Sequence, residues 1–197
     1  MQLQPNDKSY WDNRYKTGET GWDIGTVSTP LKAYIDQYEN KSASILIPGC
    51  GNAHEAAYLL EQGFTNITII DISPAAIEKV RARLSAFEGQ QLHIICGDFF
   101  ELNRQFDLIL EQTFFCALPP ASRPLYVTKM HELLKPGGKL VGVLFNRQFD
   151  QGPPFGGSSL EYQDLFSELF TIEVLEKCYN SILPREGTEV FISFRKR

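Results

Sequence analysis

The chain has 197 residues, 43% hydrophobic and 22% charged, with a net charge of −5. These values suit one globular domain and argue against a broad nucleic-acid surface. No run approaches the roughly 18 apolar residues of a membrane helix. The start, Met1 to Lys8, has neither a cationic region nor an apolar run, so no secretory signal is expected there.

Cys50, Cys96, Cys116 and Cys178 are widely spaced, with no CxxC, and His54, His93 and His131 form no metal-ligand pattern. Reduced cytoplasmic thiols and no bound metal are expected. The basic cluster Arg195-Lys-Arg197 reads as a solvated tail. The expected partner is a small-molecule substrate, with neither nucleic acid nor membrane, for a monomer or weak homodimer.

The first forty residues are rich in aromatics. Ser9–Tyr15 has a helical look, and residues 17–25 form a loop punctuated by Gly18, Gly21 and Gly25. Ser28 is a helix cap with Pro30 behind it, and Leu31, Tyr34, Ile35 and Tyr38 make an apolar stripe. Alternation then sets in. Ile45–Ile47 is a strand that runs into Pro48-Gly-Cys-Gly51 and a helix over Ala53–Gln62. Ile67–Ile70 is a strand, and Ser73-Pro74 opens a helix through Phe87. Leu92–Cys96 and Phe106–Leu110 are strands, Pro120–Leu134 a helix, and Lys139–Phe145 a strand after the turn formers Lys135-Pro-Gly-Gly138. Leu160–Phe170 is a helix. Phe170–Tyr179 and Thr188–Arg195 follow with no helix between them, so they pair as an antiparallel hairpin. Strands alternating with helices predict a parallel sheet with right-handed crossovers.

The stretch Ile45–Asn52 organises the rest. Ligands of open α/β sheets lie outside the carboxyl ends of the strands, and Gly49 and Gly51 allow close backbone approach there. Asp71 ends the second strand about twenty residues later, placed to accept ribose hydroxyls. This pairing is shared by dinucleotide enzymes and by users of S-adenosylmethionine. Gly49-Cys-Gly51-Asn-Ala-His54 lacks the third glycine of a pyrophosphate cradle. Asp98 is a candidate acceptor for an adenine amino group, with Phe99 against the ring. The closing hairpin is typical of the methyltransferase fold, a fold-level analogy. These features select S-adenosylmethionine over a nicotinamide. They predict a three-layer, Rossmann-like class I methyltransferase fold: a mostly parallel seven-stranded sheet closed by an antiparallel C-terminal hairpin. A single domain spans 1–197, with 1–40 as a cofactor-covering segment.

Several pieces in one order sharpen this: Gly21-Trp-Asp-Ile-Gly25, Ile47-Pro-Gly-Cys-Gly51, Asp71-Ile-Ser73, Phe106-Asp-Leu-Ile109, Phe114-Phe-Cys-Ala117, Leu134-Lys-Pro136 and Gly152-Pro-Pro-Phe155. Together they resemble the thiopurine S-methyltransferase family, closest to its plant halide and thiol methyltransferase branch. The likeness runs from about Trp11 to the C-terminus. It implies that Trp11 and Trp22 cover the cofactor, and Tyr15 stands where relatives carry a second tryptophan. Pro48 and Ile72 join Gly49, Gly51, Asp71, Asp98 and Phe99 as cofactor candidates. The thiopurine branch carries W-D-R after the fourth strand, where this chain has Leu110-Glu-Gln112, which weighs against thiopurines.

The expected reaction is in-line methyl transfer to a small soft nucleophile, a thiol or a halide- or thiocyanate-like ion, which calls for alignment and dryness rather than covalent chemistry. Glu111 and Gln112 are expected to face the sulfonium or the substrate. Phe114, Phe115, Phe155, Trp22 and Tyr179 are candidate pocket walls. Tyr179 and Glu111 are candidate bases, and the catalytic residue is left open. The alternatives are another small metabolite or metalloid as acceptor, a nicotinamide-binding protein, or a non-catalytic module of the same fold.

Overall fold

The computed structural model describes residues 7–197. Met1 to Asn6, and with them most of the start read as carrying no secretory signal, lie outside the described residues. Seven strands form one sheet: β1 (Ile45–Pro48), β2 (Ile67–Asp71), β3 (Leu92–Cys96), β4 (Phe106–Gln112), β5 (Leu134–Phe145), β6 (Phe170–Lys177) and β7 (Glu189–Lys196). Their order is β3-β2-β1-β4-β5-β7-β6. β1 to β5 are parallel, and β7 runs antiparallel to both β5 and β6. This is the mostly parallel sheet with a closing hairpin that the alternation predicts.

The helices are α1 (Lys8–Thr17), α2 (Thr29–Asp36), α3 (His54–Glu61), α4 (Pro74–Leu84), α5 (Arg123–Leu133) and α6 (Ser159–Phe166). Successive strand residues face opposite sides. Ile45, Ile47, Ile67, Ile69, Leu108 and Leu110 pack with Leu31, Ile35, Leu59, Ile77 and Val80 of α2, α3 and α4. Leu46, Ile70, Ile109 and Leu140 pack with Tyr126, Met130, Tyr162 and Phe166 of α5 and α6. Burial on both faces explains why β1 reads as an unbroken apolar run and β2 as a β-branched one, apolar up to Asp71 but for Thr68.

Boundaries shift where local chemistry outweighs periodicity. Helix α4 stops at Leu84 and tightens into a 3₁₀ turn at Ser85–Phe87. Helix α5 starts at Arg123, because Pro120–Ser122 forms its own 3₁₀ turn and Pro124 suits a first turn. β4 extends through Gln112. Leu134 already pairs with Phe106, and pairing resumes at Lys139 against Leu108, so the turn formers 135–138 loop out of a strand that starts early.

Parallel pairing brings the carboxyl ends of β1 to β5 to one rim. Pro48, Asp71, Cys96, Gln112 and Phe145 end there, and the loops that follow them build the cavity.

Candidate active site

A cavity of about 730 Å³ opens on that rim. The turn after β1 forms its floor. Gly49 (φ 55°) and Gly51 (φ 52°) are both left-handed. A Cβ on Gly49 would run into the Phe114 ring, and one on Gly51 would lie 2.5 Å from the Tyr15 hydroxyl. Asp71, at the end of β2, is buried, with its carboxylate bordering the cavity. It accepts the Gly51 N–H at 2.9 Å and the Ser73 N–H at 2.9 Å. Burial pushes its carboxyl above the usual range, against these N–H bonds. Each oxygen keeps lone-pair capacity for a further donor. Ile72, Asp98 and Phe99 line the same end, beyond β2 and β3. Asp98 also caps its 3₁₀ turn by accepting the Phe100 N–H at 2.8 Å.

Helix α1 and the loop behind it roof the glycine turn. Trp22 packs edge-on against Trp11 at 5.4 Å and Tyr15 at 5.8 Å, and its Nε1–H donates to the Tyr15 hydroxyl at 3.4 Å. Burial and the nearby Asp71 hold the Tyr15 phenol protonated, far above its usual value. Two carboxylates fasten this roof. Asp12 accepts the Ser73 hydroxyl at 3.0 Å and the Ala75 N–H at 2.8 Å, at the start of α4. Asp23 accepts the Gly25 N–H at 2.9 Å, meets His54 Nε2 at 2.7 Å and accepts from Asn52. Burial works to raise the Asp23 carboxyl, but the Gly25, His54 and Asn52 bonds outweigh it and hold it below the usual range. Arg185 closes the far side by donating to the Trp22 carbonyl at 3.0 Å.

Beyond β4 the chain turns sharply. Thr113 is left-handed at φ 58°, an outlier for a β-branched residue. Glu111 compensates. Its Oε1 accepts the Phe114 N–H at 2.8 Å and the Phe115 N–H at 3.0 Å, and Tyr126 donates to its Oε2 at 2.5 Å. The side chain is fully buried, and burial pushes its carboxyl up to about 7. This clamp sets Phe114 over Gly49 and against Phe99, with ring centroids 5.1 Å apart.

The structure brings Trp11, Trp22, Gly49, Gly51, Asp71, Ile72, Asp98, Phe99, Gln112 and Phe114 around one cavity. It places five other candidates off it. Pro48 is buried behind the turn. Glu111 holds the turn rather than facing the cavity, because backbone N–H groups and Tyr126 occupy its oxygens. Phe115 is core, packed on Tyr126 and Tyr162. Phe155 lies over Gly152, and the preceding Pro153 and Pro154 line the cavity instead. Tyr179 is 90% exposed, just past the end of the edge strand β6.

Asp12, Arg14, Asp23, His54 and Arg185 escaped the sequence reading. Asp23 lies inside Gly21-Trp-Asp-Ile-Gly25, so the motif itself was the signal. Arg185 sits in a turn-rich connection with no pattern to flag it.

The residues suit S-adenosylmethionine. The Gly49–Gly51 cradle tolerates no Cβ, Asp71 offers buried acceptors at a strand end, and the volume is that of a small-molecule pocket, roughly 300–1,000 Å³. Residues 6–194 match the family model described as Thiopurine S-methyltransferase (TPMT). Probable thiol methyltransferase 2 of Arabidopsis thaliana is 29% identical, covering 98% of this chain and 88% of its own length. Thiocyanate methyltransferase 1 of Brassica oleracea is 31% identical, covering 94% and 84%. Burkholderia thailandensis 1,6-didemethyltoxoflavin-N1-methyltransferase, solved with 1,6-didemethyltoxoflavin and S-adenosylhomocysteine, superposes with a TM-score of 0.77. It covers 100% of this chain and 92% of its own at 21% identity, a likeness of fold. The chain belongs to the thiopurine S-methyltransferase family, a family of S-adenosylmethionine-dependent methyltransferases.

Proposed function

We propose that this enzyme methylates a small soft nucleophile, a thiol or a halide- or thiocyanate-like anion. One observation carries the reading: the lining of the cavity changes character along the sheet. Over β3, β2 and β1 it carries the carboxylates of Asp98 and Asp71 beside the glycine turn. Over β4, β5 and the β6–β7 connection Phe114, Cys116, Phe145, Phe149, Pro153, Pro154 and Pro184 surround Arg147, Arg185 and Thr188, with Trp22 above. That half carries two guanidinium groups and aromatic walls, and no carboxylate or imidazole. An acceptor that arrives as an anion needs no base. Thiocyanate and halides are anions already, and a thiol with pKa near 8.5 carries some thiolate at neutral pH.

When bound, S-adenosylmethionine supplies an electrophilic methyl on a sulfonium. The chain's own residues align and dry the reaction. Asp71 takes the ribose hydroxyls. Phe114, fixed by the Glu111 clamp, separates the polar half from the acceptor half. The tryptophan roof excludes water, Arg185 pins that roof through the Trp22 carbonyl, and the exposed Arg147 guanidinium draws the anion inward. The relatives named for thiols and thiocyanate support this acceptor class. The covering role of residues 7–40 belongs to the same proposal, as does a reducing compartment, which suits the free state of all four cysteines.

Methylation assays with hydrosulfide, thiocyanate, iodide, a thiopurine and selenite test it. Turnover with at least one of the first three should exceed that with thiopurine or selenite by tenfold or more in kcat/KM. A preference for thiopurine or selenite overturns the acceptor assignment.

A further inference from the structure

We infer that Arg14 holds the α-carboxylate of the bound cofactor, so that the cofactor's own charge draws helix α1 down over it. The inference rests on S-adenosylmethionine occupying the cavity. Three arginines line it: Arg14, Arg147 and Arg185. Arg185 is committed, with one nitrogen on the Trp22 carbonyl at 3.0 Å and another 3.6 Å from Glu189. Arg147 is exposed beyond β5, in the acceptor half, stacked over Phe149 at 4.7 Å. His54, the lining imidazole, is spent on Asp23.

Arg14 differs. It is half-buried, with its guanidinium 4.8 Å from the Tyr10 ring centroid and 5.9 Å from that of Trp22. Among the described residues it has no carboxylate within ion-pair distance. The rings fix its position and satisfy none of its five N–H donors.

The direction of the ligand follows from the strand order. Asp98 and Phe99 mark the adenine end at β3, and Asp71 marks the ribose at β2. The next strand is β1, so the amino-acid end passes over Gly49 and Gly51. Tyr15, whose hydroxyl faces Gly51, and Trp22 roof that turn, and Arg14 lies by the Trp22 ring on the cavity wall. A cofactor carboxylate there would find a planar guanidinium suited to a paired, charge-assisted contact.

Calorimetry on the whole chain, with S-adenosylhomocysteine and with 5′-methylthioadenosine, tests this. The second ligand keeps the adenosine and the sulfur and lacks the carboxylate. Arg14→Gln should weaken S-adenosylhomocysteine by roughly 10- to 100-fold, as for loss of a charged hydrogen bond. It should leave 5′-methylthioadenosine within about threefold, and Arg14→Lys should recover part of the loss. Equal weakening of both ligands would assign Arg14 to packing on Tyr10 and Trp22 and overturn the inference, as would no change in either. If the unaltered chain binds neither ligand at near-millimolar concentration, the cofactor reading fails first and this one with it.

Discussion

Glu111 is a carboxylate turned away from the main cavity that nonetheless shapes it. Its two oxygens collect three donors where the chain leaves β4, and they hold Thr113 in a conformation that costs of order 1–3 kcal/mol. Its carboxyl is pushed up to about 7, from 4.5. The sign follows: a raised folded value means the folded state binds the proton more tightly. The stability from this group is complete below about pH 4.5 and is lost as pH rises through about 7. Glu111→Gln keeps an acceptor for the Phe114 and Phe115 N–H groups and cannot ionise. Urea unfolding of the two proteins between pH 4 and 8 should show the native protein losing stability relative to the variant as pH rises, by about 3 kcal/mol in all. A difference independent of pH would mean that Glu111 does not titrate in this range. Asp71, Glu55 and Glu189 are also raised by burial, and taking the difference between the two proteins removes their share.

Among the elements, the roof is held in place by side-chain bonds rather than by strand pairing. Helix α1 touches α4 through Asp12, and the loop behind it is fastened to the start of α3 through Asp23. Asp12 accepts the Ala75 N–H in the first turn of α4, where backbone N–H groups lack internal partners, whereas Asp23 meets the side chains of Asn52 and His54. Asp23→Ala removes the contacts to Gly25, Asn52 and His54 together. Amide hydrogen exchange over residues 18–26 should speed up by tenfold or more, with the β1, β2 and β4 amides unchanged. Acceleration across the sheet as well would place Asp23 in the global fold rather than in the roof. The same contrast explains what the sequence disclosed. Strands β1 and β2 were legible because burial on both faces leaves runs of Ile and Leu in β1 and of β-branched residues in β2. The glycine turn and Asp71 were legible because few residue types tolerate those positions. Glu111 was misplaced because a strand-end carboxylate looks the same in sequence whether it faces a cavity or its own backbone. Tyr179 was misplaced because nothing local told that β6 would be the edge strand. Arg14 and Arg185 come from opposite ends of the chain, and only folding brings them to one cavity.

At the scale of the molecule, the cavity runs along the sheet, and the proposed cofactor half lies over β3-β2-β1 with the proposed acceptor half over β4, β5 and the β6–β7 connection. Any ligand that fills the first half stabilises the whole fold by mass action. At a hundredfold excess over Kd this amounts to about 2.7 kcal/mol, or roughly 5–10 °C in Tm for a chain of this size. S-adenosylhomocysteine should produce that shift and NADH should not. A shift with NADH alone would return the chain to the nicotinamide alternative.

The place of β7 bears on how such a chain can be made and divided. It is the last strand in chain order, yet it lies inside the sheet, between β5 and β6. The connection just before it carries Arg185, which holds the Trp22 carbonyl near the other end of the chain. During translation β5 and β6 therefore wait with unpaired edges until β7 leaves the ribosome, and edges of that kind recruit other strands. A cut between Tyr179 and Leu183 would leave one fragment with an open slot and another that is a lone strand. Recombining the two would close the slot and the cavity in one step, which makes this hairpin a natural seam for a split-enzyme reporter.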